Sequence, residues 1–135
     1  MKRLGYCAVL VSLLTACGTS ERTYHTEIDA KNAGVFQRHF LPDVVPTSSR
    51  EIYIQSKWWS RRASGVFSFD PRDRQAFFGR LQSNLDAGVW GDWSKVAPYL
   101  RSNGVAPLGY SSTHGRWLFF CTERQDCAVC TWTRL

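Results

Sequence analysis

The sequence predicts an α+β domain in which one main helix packs on a small antiparallel sheet made of two hairpins, with a short second helix beside it. Three observations carry that prediction. Two stretches rich in β-forming residues, 52–69 and 117–132, are each interrupted by polar turn residues. Between them the apolar spacing changes to three and four, the period of a helix face. Helix-start and helix-stop residues flank that middle stretch.

Taken in order, the chain opens with Lys2 and Arg3, runs through apolar Leu4 to Leu14 and closes on small residues, Thr15-Ala16-Cys17. That is the layout of an export signal. The apolar run is well short of the ~20 residues a helix needs to cross a bilayer, so residues 1–16 are expected to be cleaved rather than to stay as an anchor. Residues 17–33 are polar and carry no period, which predicts a flexible tether. Residues 34–135 remain for a single domain, enough for one core and too few for two of ordinary size.

Within that domain, Pro42 and Pro46 bracket Asp43-Val44-Val45 and favour extended chain. Ile52, Ile54 and Trp58-Trp59 form a strand-like run, Ser60 to Gly65 supply turn chemistry, and Phe67 and Phe69 alternate with polar neighbours, so a hairpin is expected over 52–69. Asp70-Pro71 starts the main helix: the aspartate can accept an amide bond as N-cap, and proline loses nothing at the first helical position. Phe77, Phe78, Leu81 and Leu85 give an apolar stripe over 71–85, with Gly79 expected to pack closely on the sheet and Gly88 to stop the helix. Trp93, Val96, Tyr99 and Leu100 predict the second helix, shortened by Pro98 and ended by Asn103-Gly104. Residues 104–114 read as a loop. The last hairpin pairs 117–122 with 127–132 across a four-residue loop, placing Phe119 opposite Cys130 and Trp117 opposite Trp132.

Five cysteines are present. Cys7 lies in the signal and Cys17 at its end, leaving Cys121, Cys127 and Cys130 for one disulfide and one thiol. Cys121–Cys127, which would pin the hairpin loop, is favoured over Cys121–Cys130. A zinc set of these cysteines with His114 is disfavoured, because strand residues three apart point to opposite faces, and no metal or other cofactor is expected. Ser111-Ser112-Thr113-His114 lacks a strained nucleophile elbow, and Asp70 and Asp73 are explained by helix capping, so no catalytic residue is assigned.

Without Lys2 and Arg3 the chain keeps 15 Lys and Arg against 11 Asp and Glu. This mild basic excess allows attraction to anionic lipid or glycan; nucleic acid is not expected as a partner outside the cytoplasm. The favoured binding surface is Trp58, Trp59, Arg61, Arg62, Trp90 and Trp93, since Trp and Arg are enriched at interface hot spots. Trp58 and Trp59 cannot both point inward from one strand.

Leu14-Thr15-Ala16-Cys17 resembles the lipobox of bacterial lipoproteins. The resemblance implies cleavage before Cys17, transfer of diacylglycerol to its thiol and acylation of its new amine; Gly18, rather than Asp, implies sorting to the outer membrane, facing the periplasm. In the mature domain, Leu41-Pro42, Ser48-Ser49-Arg50-Glu51-Ile52, Gly65-Val66-Phe67-Ser68-Phe69 and the Phe77–Leu81 stretch resemble small bacterial proteins of the YbbD-head type. That likeness covers about a third of the chain and implies a compact α+β fold. It brings no activity with it, and Lys57 to Arg62 is basic and aromatic where those proteins carry aspartate and asparagine. The expectation is a membrane-anchored envelope lipoprotein acting as a non-enzymatic binding or structural module, of immunity-like or envelope-assembly type, with a protein or envelope-glycan partner. The alternative is a small hydrolase or glycan-acting enzyme using His114 and an aspartate.

Overall fold

Strands β1 (Ser20–Thr26), β2 (Arg50–Ser56), β3 (Ala63–Phe69), β4 (Pro107–Ser112), β5 (Gly115–Glu123) and β6 (Ala128–Arg134) form one antiparallel sheet in the order β1-β2-β3-β6-β5-β4. The computed structural model describes residues 18–57, 59–123 and 128–135. Two three-stranded meanders meet where β3 pairs with β6, from Ala63 opposite Arg134 to Phe69 opposite Ala128. Four short helices accompany the sheet among the described residues: α1 (Glu27–Asn32), α2 (Arg74–Phe78), α3 (Ala87–Trp90) and α4 (Trp93–Ser102).

The expected α+β layout with a main packing helix is therefore corrected: the protein is mostly sheet, and among the described residues no main helix packs on it. The 71–85 stretch divides into a 3₁₀ turn at Pro71–Asp73, the five-residue α2, and then irregular chain. Of its apolar stripe, Phe77 and Phe78 lie on α2 while Leu81 and Leu85 follow it in irregular chain; Phe77 and Leu85 are buried and Phe78 and Leu81 half-buried. Phe77 enters the main core, but Gln82 forms a two-way backbone bridge with Gly109 (2.7 and 2.8 Å), which draws Leu85 into a second cluster. Gly79 is exposed, so it is not a close-packing point, and Gly88 lies inside α3 rather than ending a helix. The longest of these four helices is α4, which contains Pro98 and ends at Asn103-Gly104, where Gly104 takes φ 79°.

The flexible tether is corrected as well. Residues 20–26 form edge strand β1 on β2, Ser20 opposite Ser56 and Thr26 opposite Arg50. Thr26 then caps α1 in a reciprocal box: its hydroxyl accepts from the Asp29 amide (3.2 Å), and the Asp29 carboxylate accepts from the Thr26 amide (3.2 Å).

The main core lies on one face. Ile52, Ile54, Phe67, Phe69, Trp117, Phe119, Cys130 and Trp132 project from the strands, and Val35, Leu41, Val44 and Val45 from the segment after α1 cover them. Phe77 meets Phe119 and Phe69 edge-on, with centroids 5.3 and 5.4 Å apart. Ser48 ties the covering segment down: its hydroxyl donates to Asp73 (2.5 Å) and accepts from the Asp70 amide (3.1 Å). Leu118 points to the opposite face, where Leu85, Trp90 and Ala97 cover only the β4–β5 side. Burying each of these large side chains contributes about 1.5–3 kcal/mol.

The last hairpin differs from expectation by two residues of register: Cys121 faces Cys130, Phe119 faces Trp132 and Trp117 faces Arg134. A two-residue slip keeps every side chain on its intended face, so the apolar pattern alone does not separate the two registers. The disulfide follows the pairing and joins Cys121 to Cys130, whose Cα atoms are 4.0 Å apart, in place of the favoured Cys121–Cys127 bond. Cys127 lies outside the described residues.

Candidate functional site

Six strand ends converge at one edge of the sheet. β1 begins there at Ser20, β2 ends at Ser56, β3 begins at Ala63, β4 ends at Ser112, β5 begins at Gly115 and β6 ends at Arg134. The 57–62 turn and the Thr113-His114 turn therefore close over the same edge. Gly18 reaches it too: a β-carbon on Gly18 would stand 3.6 Å from Trp59 Cη2.

Arg134 is the centre of this edge. It is 95 % buried, its guanidinium lies 5.5 Å above the Trp117 ring, and it donates to the carbonyls of Arg61 and His114. Among the described residues its Nε–H has no acceptor. No salt bridge reaches it among the described residues, although buried cations are ordinarily paired. Burial, and then the Arg61 charge, lower its pKa from the ordinary arginine value. Gly115, at φ 150°, leaves it room, since a β-carbon there would come within 3.0 Å of Nε and Nη2.

Two clefts open on either side of this guanidinium. The larger, about 980 Å³, lies over the half-covered face between the 57–62 turn and Gly91–Trp93. The smaller, about 560 Å³, lies over the main-core face; it is lined by Arg38, His39, Lys57, Arg61, His114 and Arg134, and among the described residues by no acidic side chain. His39, at φ 56°, stacks its ring on His114 with centroids 3.9 Å apart and planes 5° from parallel. Arg38 is held in place by donating to the carbonyls of Ala33 (2.9 Å) and Gly34 (3.3 Å).

No protein-family model, curated protein or solved structure matches the chain. The site is defined by its own geometry.

Of the residues singled out by sequence, Trp59 is 58 % exposed and Arg61 and Arg62 are exposed on the same turn. Trp93 is half-buried, its ring centroid 6.0 Å from that of Phe120. Trp90 is 2 % exposed and packs in the second cluster, its indole N–H donating to Gln82 Oε1 (3.1 Å), and it also lines the larger cleft. Trp58 lies outside the described residues, as does the lipobox, Leu14 to Cys17. Sequence reasoning missed Arg134, Arg38 and the stacked histidines. Arg134 carried a faint signal, an arginine at an inward position of an otherwise apolar strand (Ala128, Cys130, Trp132).

The enzymatic alternative has a location. Asp43, Ser112, His39 and His114 line a cleft of about 260 Å³. Ser112 Oγ accepts the His114 backbone N–H (3.1 Å), and among the described residues no hydrogen bond joins the His114 ring to Ser112 or Asp43.

Proposed function

We propose that this chain is a bacterial envelope lipoprotein, anchored through acylated Cys17 on the outer membrane facing the periplasm, that acts as a non-enzymatic binding module. The observation that carries the reading is the combination of Leu14-Thr15-Ala16-Cys17 with a β1 strand beginning three residues later at Ser20. Only Gly18 and Thr19 separate the modified cysteine from the sheet, so the cationic edge with Trp59, Arg61 and Arg62 is carried next to the membrane. One myristoyl-length chain binds a membrane only marginally, whereas two or three chains anchor stably.

The binding role is supported by an exposed indole beside guanidinium groups, a composition over-represented in interface hot spots. An envelope glycan or an acidic protein fits the larger cleft. The test is fractionation of cells expressing the wild type and Cys17→Ser. Wild type should sediment with membranes and Cys17→Ser should not yield the acylated mature form; equal processing and fractionation of both would overturn the reading. Trp59→Ala with Arg61→Ala should then lose partners recovered from solubilised envelopes.

The second reading, a hydrolase, is favoured by the shared cleft of Asp43, Ser112 and His114. Hydrolysis of an ester or glycan substrate that is abolished by either His114→Ala or Asp43→Asn would establish it.

A further inference from the structure

The smaller cleft holds more positive charge than its surroundings answer. Arg38, Lys57, Arg61 and Arg134 line it together with His39 and His114, and among the described residues no carboxylate does. Arg134 is the decisive member, because it is buried and, among the described residues, retains an unpartnered Nε–H and meets only carbonyls and the Trp117 face. A buried guanidinium without an anion is costly to maintain. An oxyanion entering beside it would supply the missing charge, and Arg61, exposed on the turn above, presents a planar fork suited to phosphate oxygens.

The origin of that oxyanion follows from the chain leading to the cleft. Trp59 lines the cleft and lies against Gly18. One further residue gives Cys17, within about 4 Å of Gly18 along the backbone. On the reading that Cys17 carries acyl chains, the nearest dense supply of phosphate is the headgroup layer in which those chains are embedded. Indole side chains settle at that depth, and basic residues next to an anchor are drawn to anionic headgroups.

We infer that the cleft formed by Arg38, Lys57, Arg61, His114 and Arg134 binds the phosphate group of an anionic phospholipid headgroup, seating the cationic edge of the sheet on the membrane beside the Cys17 anchor. This deepens the proposed function by naming the membrane itself as the ligand of the Trp/Arg edge. Acyl chains would supply attachment, and the headgroup would fix which end of the domain faces the bilayer.

The test is nuclear magnetic resonance titration of the full-length chain in nonionic detergent. The reporters are the Arg134 Nε–H and the His114 and Arg61 amides; the probes are short-chain phosphatidylglycerol and, separately, inorganic phosphate. Short-chain phosphatidylglycerol should shift these signals at concentrations at least tenfold below those needed with inorganic phosphate. The exposed-residue variant Lys57→Ala with Arg61→Ala should weaken the response tenfold or more while the remaining amides keep their positions. Three results would overturn the inference: shifts confined to other parts of the sheet, an unchanged titration in the double variant, or equal affinity for free phosphate. An acidic partner peptide that occupies the cleft while phosphatidylglycerol does not would also overturn it. Acylation of Cys17 is not needed for this titration. A chain that is acylated but does not respond fails only this inference, and one that responds but is never acylated fails only the anchor.

Discussion

Gly18 lies against the ring of Trp59, so that a β-carbon on the glycine would stand 3.6 Å from Cη2. This relationship places the start of β1 beside the exposed turn of the β2–β3 hairpin. Trp59 is largely exposed and contributes little to the core. Trp59→Ala should therefore change unfolding free energy by no more than about 0.5 kcal/mol, as measured in urea, while, on the proposed binding role, reducing recovery of envelope partners. A loss of several kcal/mol would assign Trp59 to the core instead.

Because β1 is hydrogen-bonded to β2, Arg22 opposite Ile54 should resist trypsin in the native protein. A flexible tether would be cut at Arg22 within the first minutes of digestion, well before any bond in β5 or β6. Timed digestion followed by mass spectrometry separates the two.

Gly109 faces the Trp90 indole so closely that a β-carbon would overlap it, and would also lie 2.9 Å from Leu85. Gly109→Ala should destabilise the protein by about 1–3 kcal/mol through overpacking. Trp90 should move with it, so a shift of tryptophan emission towards longer wavelength is expected. Wild-type stability in this variant would contradict the packing of the second cluster.

Asp70 accepts from the Arg72 side chain (2.7 Å to Nη2) and from the Arg72 amide (3.0 Å), and these bonds hold its carboxyl down to about 2. Its unfolded value is near 3.9. A lowered folded pKa gives stability that is full above the unfolded value and is lost as pH falls through the folded one. Urea unfolding of wild type and Asp70→Asn should show a stability gap that is constant above about pH 5 and narrows between about pH 4 and pH 2. A gap independent of pH would remove the carboxylate from the account.

The Cys121–Cys130 bond closes a loop with a sequence separation of nine. The chain-entropy relation gives about 2–3 kcal/mol for a loop of this length. Peptide mapping without reduction should recover Cys121 linked to Cys130 and Cys127 alkylated, and Cys121→Ser with Cys130→Ser should lower stability by that amount. Linkage of Cys121 to Cys127 would contradict the hairpin register.

The 52–69 hairpin was legible because Ile52, Ile54, Phe67 and Phe69 obey the period of two that a half-buried strand imposes. β1 was not, because an edge strand buries little: Ser20 to His25 are polar on both faces except at Tyr24. Its end carried a readable mark, Thr26 three residues before Asp29, which forms the capping box. The stripe from Phe77 to Leu85 has helical spacing, but spacing cannot report that Gln82 finds a backbone partner in Gly109. β4 was hidden by Pro107, Gly109 and two serines, all residues that favour loops. At the candidate site, Trp59, Arg61 and Arg62 could be named from their order in the chain. Arg134 and the His39–His114 stack could not, because they are brought together only when β5 and β6 pair beneath the segment after α1.

The most direct test of the account is the mass of the mature amino-terminal peptide from membrane-purified protein. The proposed anchor requires a peptide that begins at Cys17 and carries diacylglycerol on its thiol, with a further acyl group on its amine. An unmodified Cys17, or a mature chain beginning at any other residue, would contradict it.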